Sequence, residues 1–175
     1  MKKLTLAAVA TLVSLGAAAA GPVAIAVPDA LKLPADQVLT LQLNATGFQI
    51  YDCKPSKADA SKFEWTFRAP EADLFDAAGA KVGTHFAGPT WKSTDDSTVV
   101  GEVLAKDPGP DANSIPWLLL KAKSNSGNGV FGKVSSIHRL QTMAGKAPVD
   151  GCSADKAGAE SRVPYKAVYN FYSAK

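Results

Sequence analysis

His85 and His138 are the two histidines in the 175-residue chain, and they are the first residues to weigh for chemistry. An imidazole binds metal or moves protons near neutral pH. A metal site needs three or four ligands, so carboxylates would have to complete one here. Asp73, Asp76, Asp95 and Asp96 sit in nearby turn-rich stretches. No His-x-His or Cys-x-x-Cys spacing brings two ligands together along the chain. The plainer reading is two ordinary strand histidines, one hydrogen-bonded in the core, and no metal site is expected. No serine lies in a G-x-S-x-G elbow. A Ser-His-Asp triad or a carboxylate pair could be assembled only by assuming the fold. No catalytic residue is therefore assigned.

Gly127-Asn128-Gly129-Val130-Phe131-Gly132 matches G-x-G-x-x-G. A dinucleotide site needs those glycines between a strand and a helix whose N-terminus holds the pyrophosphate. A strand pattern follows here instead, so residues 124–129 read as a hairpin loop and no cofactor is expected. Gly88-Pro89-Thr90-Trp91 and Ile115-Pro116-Trp117 are more suggestive. A Trp after a Pro-bearing turn can offer a stacking face at the rim of a sheet. Trp117, followed by three leucines, reads as a core anchor. Trp91, between Thr90 and Lys92, fits either role.

The N-terminus sets the compartment in which any of this would operate. Lys2 and Lys3 precede an apolar run over residues 4–15 and small residues over 16–21. This is the layout of a secretory signal over residues 1–20, with Ala24-Ile25-Ala26 as an alternative cleavage site. The apolar run is too short to span a membrane, which takes roughly 20 residues. The expected product is one secreted or periplasmic β-domain, residues 27–175 if the later site is used. Removing Lys2 and Lys3 lowers the formal charge from +3 to +1. A near-neutral surface gives no electrostatic case for nucleic acid or anionic membranes. Cys53 and Cys152 are the only cysteines, and in an oxidising compartment they are expected to pair. That pairing removes the best nucleophiles.

The elements that must hold these residues read as short strands between Gly, Pro, Asp and Ser clusters. Phe63-Glu64-Trp65-Thr66-Phe67-Arg68 alternates with the period of a half-buried strand. Tyr165, Ala167, Tyr169 and Phe171 alternate likewise. Further strands are predicted over 38–43, 48–53, 99–104, 117–123 and 130–140. Trp117-Leu118-Leu119-Leu120 lacks alternation and predicts a strand buried on both faces. Turns are predicted over 76–81 and 92–97, a short helical turn within 30–38, and long connections over 106–116 and 143–162. The pattern predicts an all-β fold: an antiparallel sandwich or barrel of eight or nine short strands.

Several of these stretches also resemble a known family, domain of unknown function 3455. The resemblance rests on Gly47-Phe48-Gln49-Ile50-Tyr51-Asp52-Cys53, Ala69-Pro70-Glu71-Ala72-Asp73-Leu74-Phe75 and Val82-Gly83-Thr84-His85-Phe86-Ala87-Gly88-Pro89-Thr90-Trp91. It continues in Ile115-Pro116-Trp117-Leu118-Leu119-Leu120, Gly151-Cys152 and Val163-Pro164-Tyr165. It implies secretion and a mostly β domain, and brings no established activity. Some members carry a malate dehydrogenase label, which the glycine string above does not support.

Three functional readings follow. The first is a binding module without turnover, for a small molecule, a saccharide or a cell-surface component, with Tyr51, His85 and Trp91 lining its site, joined by His138 and Arg139. The second is a hydrolase or metal-dependent enzyme using His85 and His138, which requires the two imidazoles to meet each other or carboxylates. The third is a structural envelope protein.

Overall fold

A computed structural model describes residues 24–175. The export segment expected over residues 1–20 lies outside the described residues. Eight strands follow one another: β1 (Gln37–Pro55), β2 (Phe63–Phe75), β3 (Lys81–Phe86), β4 (Thr90–Ser93), β5 (Thr98–Asp107), β6 (Trp117–Ser126), β7 (Ser136–Ala144) and β8 (Glu160–Ala174). Each pairs antiparallel with the next, and β1 also pairs with β8, closing an up-and-down barrel. The all-β expectation resolves to a barrel, with some strands much longer than predicted. Segments 38–43 and 48–53 fuse into the single strand β1, because Gly47 pairs with both Ala72 and Tyr165 and no turn intervenes. β2, β8 and β1 run 13, 15 and 19 residues, whereas β3 and β4 run six and four.

Alternation places Leu43, Ala45, Leu74, Trp91, Val99, Leu120, Ile137, Tyr169 and Phe171 in the principal core inside the barrel. Gly101 is required beside Trp91: an added Cβ would lie 2.9 Å from the indole Cζ3. One end of the barrel is plugged. The predicted strand over 130–140 begins only at Ser136, because residues 127–135 turn back and insert Phe131, fully buried, against Phe171 at 4.7 Å between ring centroids. Asp95 pins this loop by accepting a hydrogen bond from the Val130 N–H, and Ser97 Oγ accepts one from the Phe131 N–H. Hydrogen bonds from the Ser97 hydroxyl and from the backbone N–H groups of Val130 and Ser97 push the Asp95 carboxyl down to about 2. The glycine string thus shapes a capping loop.

At the opposite end, β1, β2 and β8 extend past the short strands as a three-stranded canopy. The Cys53–Cys152 disulfide ties this canopy to the β7–β8 connection. It closes a loop with a sequence separation of 99, worth about 5 kcal/mol in the chain-entropy account. On the outer wall, Lys81 pairs with Asp73, Lys121 with Glu102 and Arg162 with Glu71. Among the described residues, no helix is long and apolar enough to cross a membrane.

Trp117-Leu118-Leu119-Leu120 is buried on both faces for a specific reason. Leu118 and Leu120 pack on the inner core, whereas Trp117 and Leu119 lie in a second cluster with Leu140 and Leu31. Residues 25–33, with a 3-10 turn over Asp29–Leu31, form a strap on the outer wall, and Ile25, Val27 and Leu33 complete that cluster. Leu31 is fully buried. Replacing it by Ala should destabilise the domain by about 2–5 kcal/mol through lost burial and a residual cavity, measured as a shifted urea midpoint.

Candidate functional site

The mismatch in strand length creates the site. β3 pairs with β2 only from Ala72 onward, so residues 63–71 of β2 have no partner on that side. Pro70 tolerates this position because its missing N–H would face an unpaired edge. Between this edge, the Gly88-Pro89 turn and Val103 of β5, the barrel opens into a cavity of about 290 Å³. Eight strands is the size at which a barrel interior is either filled or holds one small ligand. Here the plugged end is filled and the canopy end is not.

A β-bulge tunes the mouth. Ile50 pairs with Ala69 but Tyr51 pairs with Phe67, leaving Arg68 as the extra residue of β2. Bulges of this kind re-aim neighbouring side chains. Arg68 bonds to Asp52 at 2.8 Å and to Glu160. Phe67 stays half-exposed at the rim and meets Tyr51 edge-on at 5.7 Å. The Tyr51 hydroxyl donates to the Gly145 carbonyl at 2.6 Å, fixing the canopy over the interior. Burial raises the Tyr51 phenol, and the Arg139 charge opposes that rise.

His85 is buried inside the barrel and stacks on Trp91, with centroids 4.4 Å apart and planes 13° apart. Tyr169 meets His85 edge-on at 5.0 Å and Trp91 edge-on at 5.3 Å. His85 Nδ1 lies 2.9 Å from the Thr90 carbonyl, an acceptor, so Nδ1 carries the proton and Nε2 keeps its lone pair. Among the described residues nothing hydrogen-bonds to Nε2. Burial pushes the His85 imidazole down to about 3; the Thr90 carbonyl opposes this and the Arg139 charge adds to it. The imidazole is therefore neutral at ordinary pH.

Arg139 pairs in register with Leu118 and Tyr169 and shares their inward face. Its Nε and one Nη donate to the Pro116 carbonyl at 3.1 and 2.8 Å. His85, Trp91 and Arg139 thus line one cavity, whereas Tyr51 does not line it and instead packs against Phe67 at its rim. His138 does not join them. It is one residue away from Arg139 and so points through the other face of β7, among the residues under the strap. Its Nε2 donates to the Leu31 carbonyl at 2.7 Å, and its Nδ1 lies 3.1 Å from the Tyr172 hydroxyl. The barrel wall separates the two histidines. Among the described residues, no three His, Cys, Asp or Glu side chains gather as a metal site. The contributions of Tyr169, Phe67 and Leu118 to the cavity were not foreseen; alternation marked Tyr169 as half-buried but could not say which side faced a void.

The family described as "Protein of unknown function (DUF3455)" matches residues 34–173. The chain belongs to that family. The match takes in all eight strands of this DUF3455 barrel except the last residue of β8, and every residue lining the cavity. No curated protein and no solved structure matches the chain.

The histidines give the DUF3455 barrel a testable pH dependence. Burial lowers both imidazoles relative to the unfolded chain, His85 to about 3. The unfolded chain then binds more protons below the ordinary value of 6.5, so the stabilising contribution is full above that pH and falls away below it, for His85 down toward 3. Between pH 6 and 5, unfolding free energy should fall by up to about 1.4 kcal/mol per pH unit through His85, and His138 contributes in the same direction. His85→Gln should remove its share of that slope in urea titrations.

Proposed function

We propose that this protein is an exported barrel that binds one small molecule with an apolar body and does not turn it over. The observation that carries this reading is the unfilled canopy end: a cavity of about 290 Å³, walled by Trp91, Leu118, Leu120 and Tyr169, with few polar groups among apolar ones. Binding pockets share that composition. The stacked, neutral His85 supports a binding role over a proton-transfer role. Its Nδ1–H is committed to a backbone carbonyl, and no carboxylate orients it. Half-exposed Phe67 and Val103 at the mouth supply an apolar entrance.

The strap supports the earlier of the two cleavage positions. Cleavage after Ala26 would strip Ile25 from the outer cluster, whereas cleavage after Ala20 leaves the strap whole. Mass spectrometry of protein recovered from an exporting host should give a mature N-terminus at Gly21; one at Val27 would sink this expectation.

Binding itself is tested with a neutral aromatic probe. Calorimetric titration with 4-phenylbutan-1-ol should give saturable binding at one site. Leu118→Trp, which projects a larger side chain into the cavity, should abolish it while leaving the thermal transition in place. Failure of the unmodified protein to bind, or unchanged binding by Leu118→Trp, would overturn the reading.

A further inference from the structure

We propose that the cavity selects monocarboxylates: the carboxylate pairs with the Arg139 guanidinium, and the apolar body lies against Trp91, Leu118 and Leu120. This rests on the cavity being a binding site. The chain has three arginines. Arg68 also lines the cavity, at its mouth, but its charge is met by Asp52 and Glu160. Arg162 is paired with Glu71 and Glu160 and does not line it. Of the two arginines that line the cavity, Arg139 is the one that, among the described residues, forms no ion pair. Among the described residues, no Asp or Glu lines the cavity. The Pro116 carbonyl absorbs two of the Arg139 N–H groups and the Tyr169 hydroxyl is a further partner, and neither supplies a negative charge.

A guanidinium drawn from water into an apolar enclosure is costly unless it is paired. Five N–H groups in a planar fork suit a carboxylate in two-point contact, and some of that fork remains free here. One uncompensated positive charge calls for one negative charge, which favours a monoanion over a dianion. A second unmet polar group points the same way. Trp91 is 1% exposed and walls the cavity, and its indole N–H finds no acceptor among the protein groups. Two hydrogen-bond donors without negative partners, Arg139 and Trp91, thus border one apolar void. The His85 Nε2 lone pair offers a place for a ligand hydroxyl, which would extend recognition to hydroxylated acids.

The test compares two probes of one shape. Calorimetric titration with 4-phenylbutyrate at pH 7.5 should show binding at least about tenfold tighter than 4-phenylbutan-1-ol, the scale expected of a charged hydrogen-bonded pair. Arg139→Gln should weaken the acid by about tenfold or more and the alcohol by distinctly less, so that the preference for the acid collapses. Arg139→Lys, which keeps the charge, should restore part of the preference and guards against a folding defect in the Gln variant. Equal binding of acid and alcohol by the unmodified protein would overturn the carboxylate assignment and leave the cavity reading standing. Binding of neither would overturn both.

Discussion

A sheet of this length has two edges, and each edge is a row of backbone donors and acceptors that must find partners. β1 resolves both at once. Its first fifteen or so residues pair with β8, and its last twelve pair with β2. The interior exists because of that double pairing. So does the canopy, since only β1, β2 and β8 are long enough to outrun the others. β3 and β4 stop early, and the void opens where they stop. Shape here follows from unequal strand length, with the plug and the disulfide holding the two ends.

The plugged end and the open end solve different packing problems. At one, Phe131 enters from a loop and meets Phe171, and the loop is fixed by Asp95, Ser97 and Asn125. At the other, Trp91 and His85 stack parallel and leave room above them. Small residues on β1, β2 and β8 (Ala45, Ala72 and Ala167) face the same interior and keep that side thin. The polar groups of the open end are few, and their environment sets their state. His85 is uncharged because it is buried, and the nearby Arg139 charge disfavours its protonation further.

Much of the architecture was legible because period-two alternation survives wherever one side of a strand is buried and the other wet. Phe63 to Arg68 and Tyr165 to Tyr172 show it plainly. Where alternation failed, at Trp117 to Leu120, the cause was real: an inner core on one side and a strap on the other. The strap was invisible because four scattered apolar residues before a proline carry no period. Gly47 marked no boundary because a glycine inside a strand looks the same as one in a turn. The glycine string suggested a hairpin but not its plug, since nothing local distinguishes an inserted Phe131 from an exposed one.

The histidines show the limit most clearly. His138 and Arg139 are adjacent, so a strand must send them to opposite sides; choosing the side required the register of β7 against β6 and β8. His85 joined Trp91 through a tight turn of three residues, a local pairing that sequence proximity already suggested.

The strap and β1 emerge first during synthesis, yet both must wait. The Leu31 carbonyl needs His138, 107 residues later, and β1 needs the fifteen residues of β8 at the far end of the chain. Closure of this barrel is therefore among the last events of its assembly, and contacts so distant in sequence form slowly. A nascent chain of this design stays open until its final strand arrives.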